Sequence, residues 1–168
     1  MMHYLNGMRK DKLILLASNL NVVKWYVDAS FAVHPDFRSH TGSVMTFGGG
    51  VAISQSQKQK LNTRSSTEAE LVSVDDAMHP ILWTKQFLEE QGIEIMDNVL
   101  YQDNKSAILL ENNGKKSSSQ RTRAINIRYF FVTDQIMKGN VRVEYCPTTE
   151  MIADFMMKPL QGKLFEKF

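Results

Sequence analysis

Four carboxylates sit where secondary-structure elements should begin or end. Asp28 lies on the polar side of the strand pattern VVKWYVDAS, Val22–Ser30, with Tyr26 and Ser30, while Trp25, Val27 and Ala29 take the other face. Glu70 falls in the first turn of the longest helical pattern. Asp103 closes the strand NVLYQ, residues 98–102, just before a helix. Asp154 lies between Ile152 and Phe155 in a final helical stretch. In an α/β sheet, ligand-binding groups gather at the carboxyl ends of parallel strands. Asp28 and Asp103 can therefore face one another across neighbouring strands, with Glu70 and Asp154 reaching in from helices. The chemistry that uses such a cluster is metal-assisted phosphoryl transfer. Mg²⁺ prefers hard oxygen ligands, and two ions about 4 Å apart can activate a water and stabilise a leaving oxygen together.

Each residue also has a structural reading. Thr67-x-x-Glu70 fits a capping box, in which Glu70 only satisfies a backbone N–H. Asp103 fits the N-cap of the following helix. Asp154 fits the wet face of an amphipathic helix. Asp28 has no such reading, because aspartate is disfavoured inside a strand.

Other chemistries find no support. His3, His34, His40 and His79 lack zinc-ligand spacing. Cys146, the single cysteine, precedes Pro147 and reads as a buried strand residue; alone it excludes a disulfide framework and a thiolate zinc site. No serine sits in a Gly-x-Ser-x-Gly elbow. Gly48-Gly49-Gly50 lacks the Lys-Ser/Thr and strand-to-helix context of a phosphate loop, so it reads as a hairpin turn.

The elements that must position the acids follow from periodicity. KLILLAS, residues 12–18, reads as a short apolar strand after a helix end at 1–6. Strands are expected at 22–30, 42–47, 51–55, 98–102 and 140–145, with a turn-rich loop from His34 to His40. Helices are expected at 67–91, 104–112, 125–138 and 149–157. Pro80 should kink or divide the first of these, and Pro159 should end the last. Met151, Phe155 and Met156 read as core. This order gives an α/β domain with a mixed sheet, an antiparallel meander first and parallel crossovers afterwards.

The 168 residues, 43 % hydrophobic and 23 % charged, describe one globular domain with neither a secretory signal nor a bilayer-spanning run. The net charge of +2 hides a pattern. Residues 1–64 carry eight Lys/Arg against three Asp/Glu, residues 65–103 one against nine, and residues 104–143 eight against two. A basic–acidic–basic chain suits a polyanion handled with metal ions. Lys115, Lys116, Arg121 and Arg123 flank a serine run in a basic loop and are candidate phosphate contacts, although a solvated loop explains them equally.

WYVDASFA, HTGSVMTFGGGVAIS, QKQKLNTRSSTEAEL, YQDNKSAI, RTRAINIRYFF and VEYCPTTEMIADFMMKPLQG follow one another in order. Together they resemble the ribonuclease H domain at the C-terminal end of copia-type retrotransposon Pol polyproteins, over roughly residues 22–165. The resemblance implies a ribonuclease H-like fold: a five-stranded mixed sheet with helices on both faces. It implies hydrolysis of the RNA strand of RNA–DNA hybrids during reverse transcription, with two Mg²⁺ ions for which Mn²⁺ can substitute. Asp28, Glu70, Asp103 and Asp154 match the family's four metal-binding carboxylates. By that match Asp28 and Asp103 hold metal directly, Glu70 ligates one ion and helps place the scissile phosphate or the 2′-OH, and Asp154 is a more mobile outer ligand. HYLNG resembles the segment joining the reverse transcriptase to this domain, so residues 1–20 read as a connection remnant and 21–168 as the domain. The implied partners are the hybrid and the reverse transcriptase domain of the same polyprotein, with no membrane and no small-molecule cofactor. The implied setting is intracellular, in a cytoplasmic particle of the element.

Two departures bear on a histidine-assisted step and leave the carboxylates untouched. Cys146-Pro147-Thr148-Thr149 lacks the histidine many ribonucleases H carry before the final helix. Ala124 and Asn126 replace the His and Asp of the copia-type Lys-His-Ile-Asp-Ile-Arg-Tyr run. The rival readings are a decayed, catalytically inactive domain that binds nucleic acid without cutting it, and a structural domain that docks against a polymerase.

Overall fold

The computed structural model describes residues 6, 9–10, 12, 14–114 and 126–158. The basic loop with Lys115, Lys116, Arg121 and Arg123, most of residues 1–6, and Pro159 lie outside the described residues.

Five strands form one mixed sheet: β2 (Val22–Ser30), β3 (His40–Thr46), β5 (Ile53–Lys58), β6 (Asp97–Gln102) and β7 (Arg142–Tyr145), in the order β5-β3-β2-β6-β7. β2, β3 and β5 make an antiparallel meander, whereas β6 and β7 run parallel to β2. This is the expected topology.

Two further strands are only two residues long. β1 (Leu16–Ala17) pairs antiparallel with β4 (Gly48–Gly49). Leu16–Ala17, the strand within the apolar run at 12–18, is therefore not a core strand, and Ile14, Leu15 and Leu16 are all exposed. The triple glycine does turn the chain between β3 and β5, with Met45 opposite Ile53. Gly50 sits at φ +74°, and a side chain there would meet the Ile14 carbonyl.

Among the described residues, three α-helices pack on one face: α1 (Ser66–Glu90), α2 (Lys105–Asn113) and α3 (Asn126–Met137). Trp25 and Val27 of β2 meet Val74, Met78 and Ile81 of α1 and Val132 of α3, with Leu100 and Val143 closing the layer. Burial of these side chains, each worth roughly 1.5–3 kcal/mol, drives the layer together. Pro80 lies inside α1 without dividing it. It removes one intrahelical donor, but Ala77, Met78 and Ile81 around it are buried in the core and hold the helix through that position. Gly92 ends the segment, donating its N–H to Glu89.

The expected final helix at 149–157 is instead two 3₁₀ turns, Thr148–Glu150 and Ile152–Met156. Met151 interrupts them at φ −77°, ψ 88°, where its fully buried side chain packs with Val44, Cys146 and Ala153. The bonds close over three residues: Asp154 N–H to Met151 and Met157 N–H to Asp154, each 3.1 Å. Among the described residues, these turns cover the sheet face opposite the α-helices. Met151 is core and Met156 packs against the same cluster, whereas Phe155, expected in the core, is exposed. No helix among the described residues is long and apolar enough to cross a membrane.

One buried acid lies apart from the four. Glu111 of α2 is fully buried, and that burial pushes its carboxyl up to about 8, with Gln102 beside it partly offsetting the rise. The folded protein thus holds a proton that the unfolded chain releases near its ordinary value of 4.5. Stability falls as pH rises across the window from about 4.5 to about 8, where the native state binds more protons than the unfolded state. Thermal melting of the metal-free protein at pH 5.5 and pH 8 is expected to show Glu111→Gln losing less stability than wild type over that interval, by about 3 kcal/mol. Parallel losses in the two proteins would mean that Glu111 is ionised in the fold.

Candidate active site

The sheet register brings two of the acids level. β2 and β6 run parallel with Tyr26 opposite Tyr101, and those rings stack at 4.9 Å. Asp28 and Asp103 each follow two residues later. Asp28 is still inside β2 and only 4 % exposed; Asp103 lies just beyond the end of β6.

Glu70 reaches them from the start of α1, where several contacts fix the helix to the sheet. Gln59 Nε2 donates to the Ala69 carbonyl (2.9 Å) and to Thr41 Oγ1 (3.1 Å). The alternative reading of Glu70 as part of a capping box does not hold. Ser65 is the N-cap and accepts from the Glu68 N–H, while Glu68 Oε2 accepts from the Arg64 N–H at 2.7 Å. Glu70 is left to face the sheet, 5 % exposed, hydrogen-bonded to Asp28 and the Ala29 N–H, with its Oε2 buried and lacking a hydrogen-bond partner.

Asp103 is likewise not a cap. Asn104 caps α2, accepting from the N–H groups of Ser106 and Ala107 at 3.1 Å. Asp103 instead accepts a hydrogen bond from Thr148 Oγ1 at 2.8 Å. One oxygen each from Asp28, Glu70 and Asp103 lies within 4.8 Å of the other two.

Asp154 comes in from the opposite face of the sheet on the Ile152–Met156 turn. It lies close enough to Asp28 for their carboxyls to share a hydrogen bond. It is not a wet surface acid, since its side chain is 13 % exposed and pairs with Lys158 at 2.6 Å. The turn can approach because Gly42 stands opposite Asp28 across β2 and β3. A Cβ on Gly42 would fall 2.8 Å from the Ala153 carbonyl oxygen and 2.7 Å from Met157 Cγ.

Crowding dictates the electrostatics. Burial, then the hydrogen bond to Asp154 and the charges of Asp103 and Asp154, hold the Asp28 carboxyl well above the usual carboxylate range. Burial, then the charge of Asp28, do the same for Glu70. Like charges this close cannot all ionise without a compensating cation. Three converging hard oxygens, from a cluster in which Glu70 Oε2 is buried without a partner, fit a divalent ion such as Mg²⁺.

Sequence reasoning brought the four acids together but missed their supports. Thr148, Gly42 and Gln59 carried no chemical signal of their own. Lys158 did carry one, standing four residues after Asp154 at helical ion-pair spacing. His34 and His40, dismissed as zinc ligands, are hydrogen-bonded to one another at 3.0 Å.

No family model matches the chain. The chain is 34 % identical over 98 % of its length to the retrovirus-related Pol polyprotein from transposon TNT 1-94 of Nicotiana tabacum. It is 34 % identical over 99 % of its length to that from transposon RE1 of Arabidopsis thaliana. It spans only 12 % and 11 % of those polyproteins. Among solved structures it superposes on a ribonuclease H isolated from compost by a metagenomic approach, with TM-score 0.59 and 15 % identity, covering 81 % of this chain and 92 % of that one. It also superposes on the PFV ribonuclease H domain, with TM-score 0.52 and 16 % identity over 80 % and 91 % of the two chains. A foamy viral protease-reverse transcriptase solved with an RNA/DNA hybrid matches at TM-score 0.54 and 14 % identity, over 83 % of this chain and 19 % of that one. The chain is a ribonuclease H-fold domain related, along nearly all its length, to the Pol polyproteins of copia-type transposons.

Proposed function

We propose that this domain hydrolyses the RNA strand of RNA–DNA hybrids in a metal-dependent reaction during retrotransposon reverse transcription. The observation that carries the reading is the convergence of one oxygen each from Asp28, Glu70 and Asp103 within 4.8 Å. Asp154 stands beside Asp28.

Asp28, Glu70 and Asp103 would hold divalent ions, with Asp154 as an outer ligand; two Mg²⁺ ions are the expected complement, and Mn²⁺ can substitute. Bound there, the cation supplies Lewis acidity at the phosphate and offsets developing negative charge. The chain's own residues supply the positioning. Thr148 holds one oxygen of Asp103 and leaves the other free to turn inward. Glu70 is buried, on a helix locked to the sheet by Gln59, and is suited to fix the scissile phosphate or the neighbouring 2′-OH. Lys158 stays paired to Asp154 at the rim and neutralises it while the site is metal-free. Selectivity for RNA follows from 2′-OH contacts and groove shape, since DNA shares the phosphate backbone.

The proposed partners are the hybrid and the reverse transcriptase domain of the same polyprotein, with residues 1–20 as the connection to it. A catalytically inactive binding or structural domain is the less favoured reading, because all four carboxylates are retained and gathered.

Cleavage of end-labelled RNA–DNA, RNA–RNA and DNA–DNA duplexes tests this directly. Mg²⁺-dependent cutting confined to the RNA strand of the hybrid is expected. Equal cutting of all three duplexes, or none in any divalent metal, would overturn it.

A separate prediction concerns the basic loop. Replacing Lys115, Lys116, Arg121 and Arg123 together with Ala should weaken hybrid binding regardless of base sequence. The log–log salt slope should flatten by about 0.9 for each phosphate that the loop no longer neutralises. An unchanged slope would make the loop a solvated surface.

A further inference from the structure

A chain of hydrogen bonds runs from a histidine pair to the turn that carries Asp154. Ser56 Oγ of β5 lies 2.6 Å from the Met156 carbonyl oxygen. His40 Nε2 lies 2.9 Å from the same Ser56 Oγ. His34 Nε2 lies 3.0 Å from His40 Nδ1. The carbonyl at the end sets the direction of every proton. It can only accept, so the single Ser56 hydroxyl hydrogen goes to it. His40 Nε2 must then donate to Ser56 Oγ. A neutral imidazole carries one N–H, so His40 Nδ1 is an acceptor and His34 Nε2 donates to it.

We infer that His34, His40 and Ser56 form a clamp that sets the position of the Ile152–Met156 turn, making His40 and Ser56 positioning residues for Asp154. The inference rests on the hydrolytic reading proposed above. Gly42 lets the turn come close but gives no directional hold. Ser30 Oγ reaches only the Met157 sulfur, at 3.9 Å, a weak acceptor. The Ser56 bond is short, directional and aimed at the same 3₁₀ turn, two residues from the Asp154 carboxylate. The order of the clamp also explains why two histidines without zinc spacing lie in contact. The first fixes the tautomer of the second.

The test uses Ser56→Ala and His40→Phe, which remove the two donors, and Ser56→Thr, which keeps the hydroxyl at an exposed position. Two readouts are needed: amide hydrogen exchange at Asp154, Met157 and Lys158 in the metal-free protein, and the Mg²⁺ concentration giving half-maximal hybrid cleavage. Ser56→Ala and His40→Phe should each speed exchange at those amides by about three- to tenfold, as the loss of one hydrogen bond allows. Both should also raise the half-saturating Mg²⁺ concentration by a similar factor, with hybrid binding in chelator unchanged, and Ser56→Thr should restore both values. Wild-type exchange and Mg²⁺ dependence in Ser56→Ala and His40→Phe would overturn the clamp. Faster exchange in those variants, with no hybrid cleavage by wild type in any divalent metal, would uphold the clamp while removing the hydrolytic reading.

Discussion

Asp28→Asn should abolish hybrid cleavage while raising the melting temperature of the metal-free protein. The two effects have one cause. Asparagine keeps the shape of the side chain and removes the charge that would hold a divalent ion. Lewis-acid stabilisation worth several kcal/mol then disappears, which corresponds to a rate loss of about a thousandfold or more. In the metal-free protein the same charge is a burden. Asp28 is buried beside Glu70, Asp103 and Asp154, and its carboxyl is held well above the ordinary range. A group raised in this way destabilises the fold once pH exceeds its unfolded value, because the unfolded chain ionises freely. Removing it should give back about 1–2 kcal/mol at pH 7.5, or roughly 2–8 °C for a domain of this size. The Ala29 N–H bond to Asp28 Oδ1 (2.8 Å) can be kept by the asparagine oxygen, so the backbone has no reason to move. Melting in chelator and a single-turnover cleavage assay together decide the matter. A variant that melts below wild type and still cuts would show that the acids do not act as one site.

Gly42→Ala should harm both the fold and the site. In an ordinary strand, replacing glycine with alanine is favourable, because glycine loses more conformational freedom on folding. Here the new methyl group would stand 2.8 Å from the Ala153 carbonyl oxygen and 3.1 Å from Met156 Cβ. Backbone cannot yield as a flexible side chain can, so the Ile152–Met156 turn must lift from β3. Overpacking of this kind costs about 1–3 kcal/mol. The turn carries Asp154, so cleavage should fall by about ten- to a hundredfold, as expected when a catalytic group is displaced by about 1 Å. Partial recovery in Mn²⁺ is expected, since Asp28, Glu70 and Asp103 stand on elements the methyl group does not push. Melting curves and Mg²⁺ titrations read the two effects. A more stable, fully active Gly42→Ala would mean that the turn does not pack against β3 as described.

The sheet and its order were legible because the signals were local. VVKWYVDAS is β-branched and aromatic with Asp28 out of place in it, and the crossover helices follow from period and caps. The four acids were legible from their positions at element ends and from the family resemblance. Other details were not. The real N-cap of α1 is Ser65, two residues before the Thr67 box, because Ser65 and Glu68 satisfy the end of the helix and leave Glu70 with no capping role. The last helix is two 3₁₀ turns, since the buried Met151 breaks the helical path in a way that periodicity does not register. The apolar run at 12–18 satisfies strand propensity, but only Leu16 and Ala17 pair, with Gly48 and Gly49 of β4, and Ile14, Leu15 and Leu16 stay exposed. Thr148, Gly42 and the His40–Ser56 bond depend on contacts across tens of residues or more, which local sequence pattern cannot encode.

The central claim is that Asp28, Glu70 and Asp103 together form a divalent-cation site. Paramagnetic line broadening by Mn²⁺ in amide NMR spectra tests it most directly, because it locates the ion without requiring activity. Substoichiometric Mn²⁺ should first erase the amide signals of Asp28, Ala29, Glu70, Asp103 and Asn104, and Asp28→Asn should abolish the effect at the same concentration. Broadening centred on other acids, such as Asp97 with Glu144 at the edge of the sheet, or Glu89 with Glu90 at the end of α1, would contradict it.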